Sequence, residues 1–323
     1  MFLSVKIAVE ESLGWLLPTV ERGDVCSVCR EGRVVYFRVY SGERLCRSCF
    51  VKTFEKRVVR TIGRYKLFNP DDRIAVAVSG GKDSLSLLYV LKKIEKRFPR
   101  ASLLAVTVDE GIEGYRDEAL DYVEEVTRML EVPLYKTSFE ELFGKSLSEI
   151  VASKQFRASG LAACSVCGPL RRRAINIAAK RAGATVIATA HTLDDVVQTY
   201  FLKAFRGELG TSEIGLRLEG PFIPRVAPFR LTPEREVVFY AYLHNIPFQS
   251  QVCPNAADSM RNMIRRFLAE FEERYPGALF AALKSFEKTT PLGKKMQRVC
   301  SNCGEPSSRM LCRVCELTHT LIH

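Results

Sequence analysis

This 323-residue chain contains no apolar run long enough to cross a bilayer, and its single tryptophan is Trp15. Met1 to Val20 carries Glu10 and Glu11 and shows no basic start followed by an unbroken apolar core, so neither a signal peptide nor a membrane anchor is expected. The chain also lacks the bias of a disordered protein. At 47% hydrophobic and 26% charged residues it has a soluble globular composition, with room for one sizeable α/β core and small attachments. Acidic residues are in deficit, 37 against 48 basic, and the net charge of +11 favours a polyanionic partner, nucleic acid first, over a small neutral substrate. An ordinary basic surface is the plain alternative. Unpaired cysteines are scarce too: of eleven, only Cys253 stands outside a Cys-x-x-Cys pair. Without an export signal, metal binding in a reducing cytoplasm explains such pairs better than disulfides.

The chain is organised around residues 73–91. Ile74 to Val78 is short, apolar and β-branched, as a strand buried on both faces should be, and Leu85, Leu87, Leu88 and Leu91 then recur at helical spacing. Between them lies Ser79-Gly80-Gly81-Lys82-Asp83-Ser84. Two glycines let backbone N–H groups approach an anion, and the helix start adds partial positive charge. Lys82 supplies a mobile cation, Ser79 and Ser84 supply hydroxyls, and Asp83 can hold Mg²⁺ or answer Lys82. Walker A spacing is absent, because four residues should separate its first Gly from the Gly-Lys pair. The hexapeptide instead resembles the pyrophosphatase-loop signature of ATP-dependent adenylating enzymes, and the alternative is an ordinary glycine-rich turn.

Further elements follow in order. Ser102 to Val108 reads as a second buried strand, Arg116 to Leu130 as a helix, Val132 to Thr137 as a strand and Phe139 to Val151 as a helix. Ala184 to Thr189 reads as a fourth strand, with a helix opening at Asp195. This βαβα alternation predicts an α/β, doubly wound parallel sheet of the adenine nucleotide α-hydrolase-like type. Ligands of such sheets bind at the strands' carboxyl ends. Ala77, Val78, Thr107, Val108 and Asp109 therefore belong beside the loop. His191-Thr192-Leu193-Asp194-Asp195 offers an acidic pair for Mg²⁺ or for water orientation, with helix capping as the plain alternative.

Two ribbons flank this unit. Cys26-x-x-Cys29 and Cys46-x-x-Cys49 are separated by sixteen residues (30–45), and Cys300-x-x-Cys303 and Cys312-x-x-Cys315 by eight (304–311). Each set closes a tetrahedral Zn²⁺ site, with His319 and His323 as bystanders. Phe50 to Lys66 forms a basic connecting helix. Thr232 to Leu243 and Ala257 to Tyr275 form later helices, the second with Met260, Met263, Ile264, Phe267, Leu268 and Phe271 as a core stripe. Arg261, Arg265 and Arg266, with Lys284, Lys288, Lys294, Lys295 and Arg298, are placed to track RNA phosphates or to form a soluble face. The expected division is 1–66, 67–250, 251–298 and 299–323. Cys164, Cys167 and Cys253 make a third constellation. Three thiolates leave one position open, which suits a 4Fe-4S cluster or a sulfur-carrying redox centre better than structural zinc. A redox pair with a separately buried Cys253 is the alternative.

Taken with Asp109-Glu110-Gly111-Ile112-Glu113-Gly114-Tyr115-Arg116-Asp117 and Cys253-Pro254, these motifs resemble the archaeal and thermophilic tRNA 2-thiouridine synthetases and the related cytoplasmic wobble-uridine thiolases. The likeness runs from Cys26 to Cys315. It implies that Cys164, Cys167 and Cys253 hold a 4Fe-4S cluster able to bind sulfide, that ATP adenylates the uridine C2 oxygen, and that sulfur displaces AMP. It implies that Arg171 and Ala190 line the ATP site, and that Asp83 and Asp195 serve catalysis or Mg²⁺. The implied partners are tRNA and a ubiquitin-like protein bearing a C-terminal thiocarboxylate, and the implied assembly is a homodimer. A T-loop uridine is the expected target, with the wobble uridine as the alternative. Competing readings are another adenylating enzyme of the same loop type, and a zinc-ribbon RNA-binding protein without catalysis.

Overall fold

A computed structural model describes residues 25–208, 215–217, 222–256, 259–289, 298–307 and 309–322. Expectations for residues 1–20, Lys294, Lys295 and His323 lie outside these residues. The first ribbon pairs β1 (Val34–Arg38) with β2 (Glu43–Cys46) in antiparallel register, with Gly42 in the left-handed region at the turn. The helix Arg47–Arg64 leaves it with Phe50, Phe54, Val58 and Ile62 on its buried face.

The central sheet contains β3 (Arg73–Ala77), β4 (Ser102–Asp109), β5 (Leu134–Ser138), β6 (Val186–Ala188) and β7 (Arg225–Val226). All pair parallel, in the order β5-β4-β3-β6-β7. The first strand of the sheet is thus central, with the chain winding first to one side and then to the other. That puts the topological switch at the carboxyl ends of β3 and β6, where a ligand crevice opens. The strands are apolar because helices cover them: Ala75, Val76, Ala105, Val186 and Ala188 have no exposed surface. The two-residue strand β7, with Ile187 opposite Arg225, carries no apolar run of its own and escapes a reading by pattern.

Several boundaries differ from expectation for local reasons. Residues 139–151 form two helices, Phe139–Phe143 and Leu147–Ala152. Gly144 at φ +80° ends the first, and a Ser146–Glu149 capping box starts the second. The helix expected to open at Asp195 spans Leu193–Phe205 and is capped by Thr192. The helix Met260–Arg274 does not bury its whole apolar stripe. Ile264 and Leu268 pack against Val197 and Tyr200, whereas Met260, Met263, Phe267 and Phe271 face outward. A helix has one face per neighbour, and here a single neighbouring layer covers only part of the stripe. Among the described residues no helix is long and apolar enough to cross a membrane.

Candidate functional site

The turn after β3 is shaped by its own atoms. Gly80 sits at φ +83°, and a Cβ there would lie 2.3 Å from the Ala119 carbonyl oxygen, so only glycine lets the helix Arg116–Met129 approach so closely. Ser84 Oγ accepts the Ser79 N–H at 3.0 Å and donates to the Gly81 carbonyl at 3.0 Å. Its hydroxyl, read from sequence as a phosphate donor, is engaged in folding the loop; the Ser79 hydroxyl lies 3.2 Å away. Gly81 occupies the N-cap of helix Lys82–Glu95 without any side-chain cap. The first helical N–H groups therefore remain available to an anion.

Charge gathers at the mouth of this loop. Lys82 Nζ lies 3.0 Å from Asp83 Oδ2 and 2.7 Å from Glu234 Oε1, and Arg265 Nη2 reaches that same Glu234 oxygen at 2.7 Å. Asp194 Oδ2 accepts the Glu234 N–H at 2.7 Å. Burial raises the Asp83 carboxyl to about 6, with Lys82 opposing the rise and Glu234 adding to it. Burial likewise raises Asp194 to about 7, reinforced by Glu234 and Asp195. Burial would depress the Lys82 ammonium, yet Asp83 and Glu234 outweigh it and hold it above its ordinary range. Asp83 Oδ1 is buried without a hydrogen-bond partner. Crowded carboxylates, one with an orphaned oxygen, fit a hard divalent cation. Asp195 is turned toward its own helix, where its carboxylate accepts the Thr192 N–H at 3.0 Å and hydroxyl at 3.1 Å.

On the other side, Asp109 Oδ1 accepts the Gly111 N–H at 2.8 Å and folds the turn after β4. The neighbouring Glu110, 4% exposed, takes Arg116 Nε at 2.9 Å and Arg171 Nε at 2.6 Å. Arg116 Nη1 donates to the Ser79 carbonyl at 2.5 Å, and Arg171 Nη2 reaches Cys167 Sγ at 3.1 Å. Arg171 thus faces the cysteines. Burial raises the Cys167 thiol, with Arg171 opposing that rise.

Cys164 and Cys167 open the helix Ala163–Arg181, and the fold brings the Cys253 segment to them. Cys164 Sγ lies 3.6 Å from the Asn255 carbonyl, and Cys253 packs on the apolar cluster that contains Cys167, Ile112 and Val166. Among the described residues only the two four-cysteine sets bring all their sulfurs within 4.8 Å. Val78 and Val108 are buried, and Ala77 and Ala190 half-buried, at the strand ends flanking the loop.

Residues 51–272 match the PP-loop domain family. A probable sulfurtransferase from Methanocaldococcus jannaschii is 35% identical over 296 residues, spanning 90% of this chain and 86% of its own length. Cytoplasmic tRNA 2-thiolation protein 1 from Bos taurus is 36% identical over 300 residues, with 90% and 86% covered. The chain belongs to this PP-loop family. A solved structure, the U34-tRNA thiolase NcsA from Methanococcus maripaludis with its [4Fe-4S] cluster, aligns with a TM-score of 0.79 at 29% identity, covering 94% of this chain and 97% of that one.

Beyond the PP-loop unit, both ribbons offer metal sites. Cys26, Cys29, Cys46 and Cys49 converge, as do Cys300, Cys303, Cys312 and Cys315. Gly32 is required in the first, since a Cβ there would lie 2.6 Å from that of Cys46. At the far end of helix Lys82–Glu95, about 20 Å from the loop at 1.5 Å per residue, a groove of about 1090 Å³ is rimmed by cations. Arg33, Lys52, Lys56 and Arg97 line it with no carboxylate partner among the described residues, whereas Lys93 is paired with Glu55 at 2.6 Å.

Sequence reasoning missed Glu110, Arg116 and Glu234. Glu234 follows Pro233 in the first turn of helix Glu234–Leu243, a position common for any glutamate, and only the fold sets it against Lys82. Glu110 and Arg116 belong to the quoted 109–117 motif, so position, though not role, was signalled.

Proposed function

We propose that the protein is an ATP-dependent tRNA sulfurtransferase that replaces the C2 oxygen of the wobble uridine with sulfur. One observation carries this reading: a pyrophosphate-type loop and a three-cysteine patch are joined through Arg116, Glu110 and Arg171 in one crevice. The four groove cations that have no carboxylate partner among the described residues support a polyanionic substrate. The likeness to a solved U34-tRNA thiolase supports the wobble position over the T-loop expected from sequence.

In this mechanism the Ser79–Ser84 backbone and Lys82 grip the β- and γ-phosphates, leaving the α-phosphorus exposed. Asp83 and Asp194 would hold Mg²⁺ through their oxygens, and its charge would offset that on the phosphates. The uridine O2 attacks the α-phosphorus, and pyrophosphate leaves. A poor leaving oxygen has thereby become part of a phosphoester. A sulfur nucleophile adds at C2, and the C2–oxygen bond breaks as AMP departs with that oxygen. Sulfur comes from a ubiquitin-like carrier with a C-terminal thiocarboxylate. Cys164, Cys167 and Cys253 would hold the 4Fe-4S cluster, which supplies an iron with an open position for sulfide. Arg171 presents positive charge beside Cys167, where anionic sulfur must approach. The two ribbons would each hold a structural zinc on four thiolates.

The test is nucleoside mass spectrometry of tRNA incubated anaerobically with iron-loaded protein, ATP, Mg²⁺ and sulfide, with fragment mapping of the modified position. Thiouridine at the wobble position with wild type, and none with Cys253→Ala, is the expected result. Thiouridine in the T-loop overturns the choice of target. Binding of tRNA without AMP release or thiouridine overturns catalysis and leaves an RNA-binding protein.

A further inference from the structure

The contacts through Glu110 form an unbroken path between two chemically distinct places, and its two ends are held differently. Arg116 is 5% exposed and fixed on every side: Nη1 on the Ser79 carbonyl at 2.5 Å, and Nη2 on the Val108 carbonyl at 2.7 Å and Thr107 Oγ1 at 3.0 Å. It cannot shift unless the loop or the end of β4 shifts with it. The Arg171 side chain is 43% exposed, and it reaches Glu110 at 2.6 Å and Cys167 at 3.1 Å. Glu110 joins them, with one carboxylate oxygen for each guanidinium. Burying the Glu110 and Arg116 charges returns little net stability, because desolvation offsets much of the attraction. The arrangement is better suited to fixing positions.

We propose that Glu110 is a positioning residue that couples the nucleotide loop to the cysteine patch. A triphosphate seated on Ser79–Ser84 restrains the Ser79 carbonyl and hence Arg116. Glu110 then keeps the Arg171 guanidinium over Cys167. Cys167 is 6% exposed within its apolar cluster, and Arg171 Nη2 lies 3.1 Å from its sulfur, so a guanidinium held there adds to the cover that the apolar neighbours provide. Nucleotide on one side of the crevice therefore closes the other. The coupling rests on the reading that the loop binds ATP, but it needs no tRNA and no turnover to be seen.

The experiment uses the full chain, zinc-replete and iron-free, treated with iodoacetamide with and without Mg²⁺ and α,β-methylene-ATP. Peptide mass spectrometry follows Cys167, and the exposed Cys164 serves as internal reference. Nucleotide should slow Cys167 alkylation by about fivefold or more, the lower range of ordinary coupling. In Glu110→Gln the rate should rise and lose its response to nucleotide, while calorimetry shows nucleotide still bound. Arg116→Lys keeps the charge and loses the fork, so it should uncouple in the same way and serves if Glu110→Gln does not fold. A Glu110→Gln protein that keeps full protection overturns the coupling, as does a wild type that binds nucleotide without protecting Cys167. A wild type that binds no nucleotide overturns the proposed function as well.

Discussion

The two four-cysteine ribbons share one motif and are joined to the PP-loop unit by opposite kinds of contact. The first is held by buried charge and aromatic packing. Glu236, with no exposed surface, receives Arg38 at 3.0 Å, Arg57 at 2.9 Å and the Tyr40 hydroxyl at 2.5 Å. Tyr36 stacks on Phe239 at 4.9 Å, and Phe50 meets the same ring edge-on at 4.8 Å. The second is joined largely by hydrocarbon: Leu317, Leu321 and Ile322 pack into the cluster of Val108, Ile112, Phe139 and Cys167. An Arg173–Glu305 pair at 2.7 Å adds to this. The first ribbon braces the outer side of the fold. The second forms part of the wall behind the cysteine patch. Equal motifs therefore do unequal work, and what each one touches decides which.

That contrast can be broken from either side. Glu236→Ala removes the shared partner of the buried Arg38 and the half-buried Arg57 and should lower stability by about 3–5 kcal/mol, read by denaturant unfolding. If the loss is under about 1 kcal/mol, the network is not the brace described. Leu321→Ala opens a cavity under the second ribbon and should cost about 2–5 kcal/mol. Unlike Glu236→Ala, it should also reduce iron retained by Cys164, Cys167 and Cys253, while zinc in the first ribbon is unchanged by metal analysis.

Smaller effects sharpen the picture of the crevice between them. Burial holds the Asp83 and Asp194 carboxyls above the ordinary aspartate range, at about 6 and about 7. Raised carboxyls favour the folded state at acid pH, and that contribution is lost as pH rises through 6 to 7. Cation binding runs the other way, because it needs the ionised form. Mg²⁺·ATP affinity should therefore fall as pH drops below 7, by about tenfold per unit for each proton taken up, read by calorimetry. A flat profile from pH 8 to 5.5 removes both groups from the cation site. Last, Lys52→Ala with Lys56→Ala should weaken tRNA binding and lower its log–log salt slope by about 2, while ATP binding is unchanged. An unchanged slope takes the groove out of RNA recognition.

Much of this was legible in order along the chain. The loop, the alternating strands and helices and the cysteine spacings are local patterns, and local patterns survive without knowledge of the fold. The carboxylates were not. Glu110, Glu234 and Glu236 resemble any glutamate on a turn or in a first helical turn, and their partners lie 6 to 198 residues away. The outward-facing Met263, Phe267 and Phe271 show the converse: periodicity marks an apolar face without saying whether anything covers it.

By itself the sequence determined the chemistry available: glycines where backbone must approach an anion, thiolates in closing sets of four and an open set of three, and a basic surplus. Spacing is enough for these, because their residues act within one turn or one hairpin. Only the tertiary structure decided which charges meet. It set Glu234 against Lys82, brought Cys253 to the Cys164 helix, and placed Glu110 between two arginines. Such pairings depend on crossover connections between parallel strands, which join residues far apart in the chain at one edge of the sheet.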